Sequence, residues 1–237
     1  LVDMYAKCGA LEKAEKVFEE LPIRNVVSWS ALIAGYSQQG QGQKALSCFE
    51  RMQGEGFTPD AMALPCILKA IGTMRLIEKG EQIHAEIISR GLLKNDVVLG
   101  NALLDMYTKC GDLVKAAQVL DELPFRNIVS WNTLVAGYAQ HGQFHQAVSC
   151  FEQMQCEGLL PNRVTFLCLL SACSHSGMLD DAQMLFGSMI EKSGITPDVE
   201  HHTCMVVAFG CAGCFDDAIA VIKVVPSSDY TIWLALL

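Results

Sequence analysis

Charged residues are scarce in this sequence, and no apolar run is long enough to span a membrane. Asp, Glu, Lys and Arg make up 18% of the 237 residues, and the most apolar stretch, residues 218–225, is interrupted by Lys223. A membrane-spanning helix needs about 20 consecutive apolar residues, so we expect no membrane insertion. The hydrophobic fraction of 51% excludes intrinsic disorder, because so apolar a chain can bury enough surface to fold.

Basic residues are the scarcer of the two charges, with 17 Lys and Arg against 26 Asp and Glu and a net charge of −9. Nucleic-acid binding usually draws its affinity from Lys and Arg on phosphates. The total charge therefore argues against such a partner, although the local charge of a binding surface matters more. The sequence also lacks a Gly-rich phosphate loop, a Ser/His/Asp arrangement and a coiled-coil heptad.

The eleven cysteines are an odd number, and most stand singly within apolar, helix-like patterns. Cysteine readily serves as a small buried hydrophobic residue, whereas a secreted disulfide scaffold is shorter and less apolar. The pattern indicates a reducing compartment. No targeting segment precedes the first helical pattern, which begins at Leu1, so we expect the chain to be a piece of a longer protein.

An internal repeat is the most informative feature of the sequence. The segment LVDMYAKCG at residues 1–9 returns as LLDMYTKCG at residues 103–111, and 36 of the first 60 positions are identical across this offset of 102. The 102-residue unit divides into lengths of 35, 36 and 31 residues. Repeat boundaries are predicted after Asn25, Asp60, Asp96, Asn127, Asn162 and Asp198.

Each repeat is predicted to form two helices. In residues 26–60, one apolar stripe with helical spacing runs from Val27 to Tyr36 and a second from Ala45 to Met52, with glycines between them. One hairpin cannot bury both stripes, but stacked hairpins can. The repeats therefore predict an all-α fold, a right-handed α-solenoid of helix-turn-helix repeats with a concave groove.

The motifs resemble those of one known class of helical repeat. The Trp-x2-Leu-Gly signature of tetratricopeptide repeats is absent, and HEAT and armadillo units are longer. The cycle of 35, 36 and 31 residues, with the motifs NxVSWxxLxAGYxQxGQ, CFExMQxEGxxP and LxDMYxKCGxLxKAxxVxxELPxRN, resembles a plant pentatricopeptide repeat protein of the PLS subclass. The resemblance covers essentially the whole chain.

The resemblance gives each segment a repeat type and places the last residues at the start of an E motif. The segments are a partial S-type repeat (1–25), a P-type repeat (26–60), an L-type repeat (61–96), an S-type repeat (97–127), a second P-type repeat (128–162), a second L-type repeat (163–198), a terminal S-type repeat (199–229) and the truncated start of an E motif (230–237).

Members of this family bind single-stranded RNA in plant mitochondria or chloroplasts, one repeat per nucleotide, and many specify sites of cytidine-to-uridine editing. The resemblance implies the address-reading part of an organellar RNA editing factor, with single-stranded organellar RNA and editing-complex proteins as partners. We expect a monomer without cofactor, metal or membrane contact. We expect no catalysis by this chain, because a cytidine deaminase domain would lie beyond it.

In this family the fifth and last residues of P- and S-type repeats meet the base. By position, the base-reading pairs are Ser30 with Asp60, Asn101 with Asn127, Asn132 with Asn162, and Thr203 with Asp229. Pairs that end in Asp resemble the guanine combination. The Asn pairs resemble the pyrimidine combination, with poor discrimination between C and U because each amide offers both a donor and an acceptor. The expected target, 5′ to 3′, is roughly G-N-Y-Y-N-G.

The two L-type repeats carry pairs that fit no base, Pro65 with Asp96 and Leu167 with Asp198. The second residue of each repeat is expected to stack between bases. The matching residues are Val27, Val98, Val129 and Val164. Met62 fits the pattern sterically, and Glu200 departs from it. Two plainer interpretations stay open. A polar boundary residue is also an ordinary helix N-cap, and a second-position Val is also an ordinary core residue.

Four basic residues, Lys7, Lys109, Arg24 and Arg126, recur at equivalent positions and either flank the groove or belong to solvated faces. Two further motifs resemble halves of a zinc deaminase signature, the H-x-E segment at residues 84–86 and the C-x-x-C segment at residues 211–214. They lie 125 residues apart in different repeats, so we predict no catalysis from them.

The terminal repeat contains potential metal ligands by residue type, namely His201, His202, Cys204, Cys211 and Cys214. However, Gly213 is the turn glycine equivalent to Gly9 and Gly111, and the family usually has Arg at positions 211 and 214. Replacement of two basic residues is the simpler interpretation, and we assign no metal.

Two other functions stay open at this stage. One is an α-solenoid protein–protein scaffold, which an apolar patch along the groove would favour. The other is a degenerate, truncated relic, suggested by Glu200, Cys211 and Cys214. The recurrence of polar residues at the fifth and last positions favours RNA.

Overall fold

A computed structural model describes residues 1–94 and 96–225, and within these ranges the chain is helical and contains no strand. The helices, in chain order, are α1 (Val2–Lys7), α2 (Leu11–Glu19), α3 (Val26–Gln38), α4 (Gly42–Gly54), α5 (Ala63–Met74), α6 (Ile77–Ser89), α7 (Val97–Cys110), α8 (Leu113–Glu122), α9 (Ile128–Gln140), α10 (Phe144–Cys156), α11 (Arg163–Ser176), α12 (Leu179–Glu191), α13 (Val199–Cys211) and α14 (Phe215–Val224). A short 3-10 turn, Leu92–Lys94, precedes α7.

Odd-numbered helices are the first helices of the predicted repeats, and even-numbered helices are the second helices. Across the described ranges, no helix is both long and apolar enough to cross a membrane. Residues 230–237, the predicted start of an E motif, lie outside the described part of the chain, as does Asp229.

The chain divides into two compact units, residues 1–126 and residues 127–237. In the first unit the first helices α1, α3, α5 and α7 pack side by side in chain order. Each of α2, α4 and α6 packs against its own first helix and against the next one, and α8 packs against α7. Every hairpin therefore closes the apolar face that its neighbour leaves open.

The second unit is built in the same way. The first helices α9, α11 and α13 pack in order, while α10 and α12 each contact their own first helix and the next one, and α14 packs against α13. The prediction of stacked helical hairpins is confirmed in both units.

The apolar stripes predicted from the sequence form the interior of each hairpin, with one exception. Ile33 is fully buried in α3, and Leu32 and Tyr36 are each 1% exposed, whereas Val27, which we placed in the same stripe, is 69% exposed. The buried face of α3 therefore begins at Trp29, two residues later than predicted, and the first turn of α3 presents an apolar side chain to solvent.

Turn glycines let the chain reverse between the helices of a hairpin. Gly111 ends α7 with a φ of 88° in the left-handed region, which a side chain with a Cβ rarely adopts. The Asp112 side chain then accepts a hydrogen bond from the Lys115 backbone nitrogen and starts α8. A glycine followed by a capping residue thus sets the hairpin geometry locally.

Eleven cysteines lie within the described ranges, and all are free thiols. Cys48, Cys150 and Cys173 are buried as the helical patterns predicted, but Cys8, Cys156 and Cys211 are exposed. Burial raises the pKa of the Cys48 thiol to about 11 and that of Cys173 to about 12. These two thiols therefore stay protonated at neutral pH and act as small apolar groups.

Close approach of α3 to α1 depends on Gly35, where a Cβ would lie 2.7 Å from the Ala6 Cβ. We expect Gly35→Ala to destabilise the protein by about 1–3 kcal/mol, because α1 must shift to relieve the overlap. Gly187→Ala is the matched control, since this glycine is also inside a helix but has open space around its Cβ position. It should leave stability unchanged or raise it by about 0.5–1 kcal/mol. Urea unfolding measures both, and equal effects of the two substitutions would contradict the packing argument.

Candidate functional site

The boundary residues of the repeats lie at the amino ends of first helices, where their side chains bind backbone N–H groups. The observed caps are Asn25 on the Ser28 nitrogen (2.9 Å), Asp60 on that of Ala63 (2.9 Å), Asp96 on that of Leu99 (2.9 Å), Asn127 on that of Val129 (2.9 Å), Asn162 on that of Thr165 (3.0 Å) and Asp198 on that of Glu200 (3.0 Å). Helix capping is therefore a role that these residues share. The capping contact also fixes which side-chain atom of each residue faces the helix.

Ser30 and Asp60, the fifth and last residues of the first predicted P-type repeat, are in direct contact. The Ser30 hydroxyl, 1% exposed, donates to Asp60 Oδ1 at 2.9 Å. The same oxygen accepts from the backbone nitrogens of Met62 (3.1 Å) and Ala63 (2.9 Å). Oδ1 is thereby saturated. The free acceptors of this pair are Asp60 Oδ2 and the lone pairs of the Ser30 hydroxyl.

Asn132 and Asn162 in the second P-type repeat are also in contact. Asn132 Nδ2 donates to Asn162 Oδ1 at 3.2 Å, and the Thr165 hydroxyl donates to Asn132 Oδ1 at 2.8 Å. Asn132 is 8% exposed and Thr165 is fully buried. In both predicted P-type repeats the fifth residue thus contacts the last residue, through different hydrogen bonds.

The remaining predicted base-reading pairs have members that lie in different units or outside the described residues. Asn101 is half-buried on α7 in the first unit, while Asn127 is exposed in the second unit as the cap of α9. The Thr203 hydroxyl donates to the Val199 carbonyl within its own helix at 2.8 Å, and its predicted partner Asp229 lies outside the described residues.

The L-type repeats differ from the P-type repeats at the fifth position. Pro65 and Leu167 are half-buried and carry no side-chain hydrogen-bonding group. In both repeats the final Asp serves as a helix cap. Burial raises the pKa of Asp198, but hydrogen bonds from His201 and from backbone N–H groups outweigh it and hold that pKa below its usual value.

Second-position residues form a set of exposed apolar side chains. The exposed fractions are 69% for Val27, 58% for Met62, 68% for Val98, 53% for Val129 and 52% for Val164. The interpretation of these residues as core is therefore wrong. Each of the four valines is the second residue of a first helix, two residues after the capping residue and about one turn before the fifth position.

First helices carry little of the protein's negative charge. The six helices α3, α5, α7, α9, α11 and α13 contain two acidic residues, Asp105 and Glu200, and three basic ones, Lys69, Lys109 and Arg163. Their sum is about +1 against −9 for the whole chain. The excess of carboxylates therefore resides on second helices and in the segments between helices, where Asp60, Asp96 and Asp198 bind the amino ends of first helices.

The four recurring basic residues all pair with nearby carboxylates. Ion pairs link Lys7 to Asp3 (2.8 Å), Lys109 to Asp105 (2.6 Å), Arg126 to Asp121 (3.7 Å) and Arg24 to both Glu19 and Glu55. These pairs favour the interpretation as solvated faces. Exposed ion pairs of this kind contribute about 0–1 kcal/mol each.

The two deaminase-like segments have ordinary structural partners. His84 Nδ1 lies 2.8 Å from the Tyr107 hydroxyl, and Glu86 forms an ion pair with Arg90 at 2.9 Å. Cys211 ends α13 and Cys214 precedes α14. Neither segment is arranged as a zinc-hydroxide site with an acid/base glutamate.

Potential metal ligands of the terminal repeat are engaged elsewhere. His201 is buried between Asp198 Oδ1, 2.6 Å from its Nδ1, and the Arg163 carbonyl, 2.9 Å from its Nε2. His202 Nδ1 lies 2.7 Å from the Asp198 carbonyl. Across the described residues, no three His, Cys, Asp or Glu side chains are grouped to hold a metal ion.

The half-buried His84 predicts a pH-dependent stability. Burial lowers its pKa below the usual value of about 6.5, so below that pH the unfolded chain takes up a proton more readily than the folded one. Stability is thus complete above pH 6.5 and falls as the pH drops. We expect unfolding midpoints in urea to fall between pH 7.5 and 5.5, and to fall less in His84→Gln. The exposed His145→Gln is the control; an equal fall in both variants would contradict the assignment.

Comparison with known proteins identifies the repeats. A family model for the PPR repeat family matches residues 24–73 and 126–175, and a model for the PPR repeat matches residues 1–26, 101–128 and 164–193. Together the matches span residues 1–73 and 101–193, which is most of the chain.

Curated relatives match along the whole length of the chain. A chloroplastic pentatricopeptide repeat-containing protein of Arabidopsis thaliana is 39% identical over 100% of this chain and 34% of its own length. A mitochondrial pentatricopeptide repeat-containing protein of the same plant is 37% identical over 100% of this chain and 37% of its own length. The chain thus spans about a third of the relatives it matches.

Solved structures match the fold. The pentatricopeptide repeat protein PPR10 from maize superposes with a TM-score of 0.75 at 24% identity, over 99% of this chain and 35% of that chain. PPR10 in complex with an 18-nt psaJ RNA element gives 0.80 at 21% identity, over 94% of this chain and 34% of that chain. The predicted fold class, an all-α solenoid of helix-turn-helix repeats, is confirmed. With both repeat models in agreement with relatives that match along the whole of this chain, the chain belongs to the pentatricopeptide repeat family.

Proposed function

We propose that this chain is a sequence-specific single-stranded RNA-binding module, with one repeat for each nucleotide. The observation that carries the proposal is the contact between the fifth and last residues of each P-type repeat, Ser30 with Asp60 and Asn132 with Asn162. In both pairs one side-chain oxygen is saturated by the helix end and by the partner residue, and other polar hydrogens or lone pairs have no partner among the described residues. Such atoms at regular repeat positions can bind base edges.

The Ser30 and Asp60 pair supports recognition of guanine. Its unsatisfied groups are acceptors, the Asp60 Oδ2 and the Ser30 lone pairs. Guanine presents neighbouring donors at N1 and N2 on its Watson–Crick edge, so the two edges are complementary. Adenine, cytosine and uracil do not present two adjacent donors there.

The exposed second-position side chains support stacking between bases. Val27, Val98, Val129 and Val164 are apolar, more than half exposed and next to the base-reading positions. A nucleotide base that covers such a side chain removes apolar surface from water whatever its identity. We assign these four residues to affinity and the fifth and last residues to specificity.

We expect only weak electrostatic attraction between the RNA phosphates and this chain, because the first helices carry few basic residues. The three basic residues on the six first helices allow about three phosphate contacts. For single-stranded nucleic acids, each contact contributes a slope of about −0.7 to a plot of the logarithm of the association constant against the logarithm of the salt concentration. We expect a slope no steeper than about −2. Titrations at four salt concentrations measure it, and a slope of −4 or steeper would show that phosphate contacts dominate binding.

A role in the organelle follows from the relatives rather than from the geometry. The curated relatives named above are chloroplastic and mitochondrial, and solved PPR10 holds an RNA element. We propose that this chain belongs to the PLS subclass and directs cytidine-to-uridine editing in a mitochondrion or chloroplast, with the deaminase supplied elsewhere. The base-reading roles of Asn101, Asn127, Thr203 and Asp229 belong to the same proposal.

A protein–protein scaffold is the second candidate, because the exposed second-position side chains would also suit an apolar partner surface. Fluorescence-anisotropy titration separates the two candidates. The probe is single-stranded RNA containing GNYYNG, compared with RNA in which purines and pyrimidines are exchanged, and with the matching DNA. Preference for the first RNA supports the proposed function. Equal or absent binding by a folded, helical chain would refute it and favour the scaffold.

A further inference from the structure

The orientation of the Asn162 amide is fixed by a backbone group that cannot flip. The Thr165 N–H donates to Asn162 Oδ1 at 3.0 Å, so this atom must be the oxygen and the other must be Nδ2. Asn132 reaches the same oxygen at 3.2 Å. Only a nitrogen of Asn132 can face an oxygen at that distance, so the Asn132 amide is oriented in turn, with Nδ2 toward Asn162 and Oδ1 on its far side.

Thr165 completes this arrangement through its side chain. Its hydroxyl accepts from the Asn162 backbone nitrogen at 3.1 Å, so its hydrogen is free to be donated. The nearest acceptor is Asn132 Oδ1 at 2.8 Å, closer than Asn162 Oδ1 at 3.1 Å. Because Thr165 is fully buried, water does not compete for this bond, and both amide oxygens of the pair are occupied within the protein.

Both amide oxygens already accept a hydrogen bond from Thr165, whereas the two amide nitrogens keep hydrogens to donate. Asn162 Nδ2 has no acceptor within the described residues, and Asn132 Nδ2 keeps a second hydrogen beyond the one given to Asn162. The first P-type repeat offers a natural contrast, because Ala63 stands where Thr165 stands and contributes only its backbone nitrogen. There the pair presents acceptors. The same two repeat positions thus present opposite hydrogen-bonding polarity in the two repeats.

We propose that Thr165, although it belongs to the following repeat, is a positioning residue that makes the Asn132 and Asn162 pair prefer cytosine over uracil. Cytosine offers two adjacent acceptors, O2 and N3, to the two amide donors, whereas uracil places an N3–H donor against them. This inference rests on the proposed function. Amides without a fixed orientation would each offer both a donor and an acceptor and would discriminate poorly between cytosine and uracil. The oriented pair should discriminate between them.

The test compares RNAs that differ only at the nucleotide for this repeat, the fourth of GNYYNG. For the unmodified chain we expect the dissociation constant for uracil to exceed that for cytosine by about two- to tenfold, the effect of one hydrogen bond. Thr165→Val removes the hydroxyl and leaves Asn132 Oδ1 without its donor. The amide then keeps only one of the two contacts that orient it and can present Oδ1 to the N3–H of uracil, so the ratio should fall to about one. Thr165→Ser keeps the hydroxyl and should keep the ratio.

Thr133→Val is the matched control, because the Thr133 hydroxyl donates to the Val129 carbonyl of its own helix at 2.8 Å and not to the pair. It should leave the ratio unchanged. Circular dichroism melts check folding, and Thr165→Ala serves in place of the valine variant if that does not fold. Equal affinity of the unmodified chain for cytosine and uracil would overturn the inference but leave the proposed function standing, as would a ratio that survives loss of the hydroxyl. Absence of any RNA binding would overturn both.

Discussion

The double substitution Asn132→Ser with Asn162→Asp should change the preferred nucleotide of the second P-type repeat from a pyrimidine to guanine. It recreates the pair that the first P-type repeat already contains, Ser30 with Asp60, in which the hydroxyl donates to the capped carboxylate oxygen and leaves acceptors free. A mismatched base typically costs about 1–3 kcal/mol. Gaining one match and losing another should therefore shift the guanine-to-pyrimidine preference by about thirtyfold or more, measured by anisotropy with RNAs that differ only at the fourth nucleotide.

Stability should survive this exchange, because Asp is as good an N-cap as Asn and its charge is favourable at a helix amino end. The reciprocal variant, Ser30→Asn with Asp60→Asn, is the control and should change only the first nucleotide of the target. A change of overall affinity without a change of preference, in either variant, would count against base reading by these pairs.

Much of the fold follows from local sequence signals. The 3.6-residue apolar spacing and the turn glycines predict two helices in each repeat, and the described part of the chain has them. α5 begins at Ala63 rather than directly after Asp60, because the Asp60 side chain binds the nitrogens of both Met62 and Ala63 and holds the first residues of the repeat in a turn. Helix ends depend on such capping contacts, which apolar periodicity does not contain.

The candidate site shows why two interpretations of a boundary residue need not compete. Helix capping and base reading were alternative roles for Asn162 on sequence grounds, but the two roles use different amide atoms. Oδ1 caps α11, whereas the proposed base reading uses Nδ2. The proposed second-position role had core packing as its alternative. Helical spacing alone does not say which edge of an apolar stripe is covered, so the sequence left both roles open. Val27 and Val98 are 69% and 68% exposed, which excludes core packing.

Side-chain contacts were the part that the sequence did not reveal. Trp131 and Trp29 are equivalent, yet Trp131 Nε1 donates to Glu157 at 3.0 Å, whereas the buried Trp29 Nε1 has no hydrogen-bond partner among the described residues. Arg51 lies over the Trp29 ring, 5.3 Å from its centroid, where the second repeat has Gln153. Identical motifs thus acquire different partners through a neighbouring residue that the motif leaves variable. The role inferred for Thr165 is of the same kind.

Replacing Val27, Val98, Val129 and Val164 together by Ala should weaken RNA binding strongly without unfolding the protein. Each substitution removes two CH2-sized groups, worth about 0.8 kcal/mol each when fully buried. If bases cover about half of each side chain, the four substitutions lose roughly 3 kcal/mol, or on the order of a hundredfold in affinity. These side chains are 52–69% exposed in the free protein, so the urea midpoint should stay nearly constant.

Val114→Ala with Val224→Ala is the control for this result. Both residues are as exposed as the stacking set, at 70% and 76%, but they lie on the second helices α8 and α14. Their removal should leave RNA affinity unchanged, and equal losses from both sets would mean that exposed valines act non-specifically. The fourfold variant should also keep its preference for guanine or cytosine at each position, since an apolar side chain covered by a base does not distinguish one base from another. Affinity and specificity would then be separable, with affinity carried by the second residue of each repeat and specificity by polar pairs whose orientation is set by helix capping.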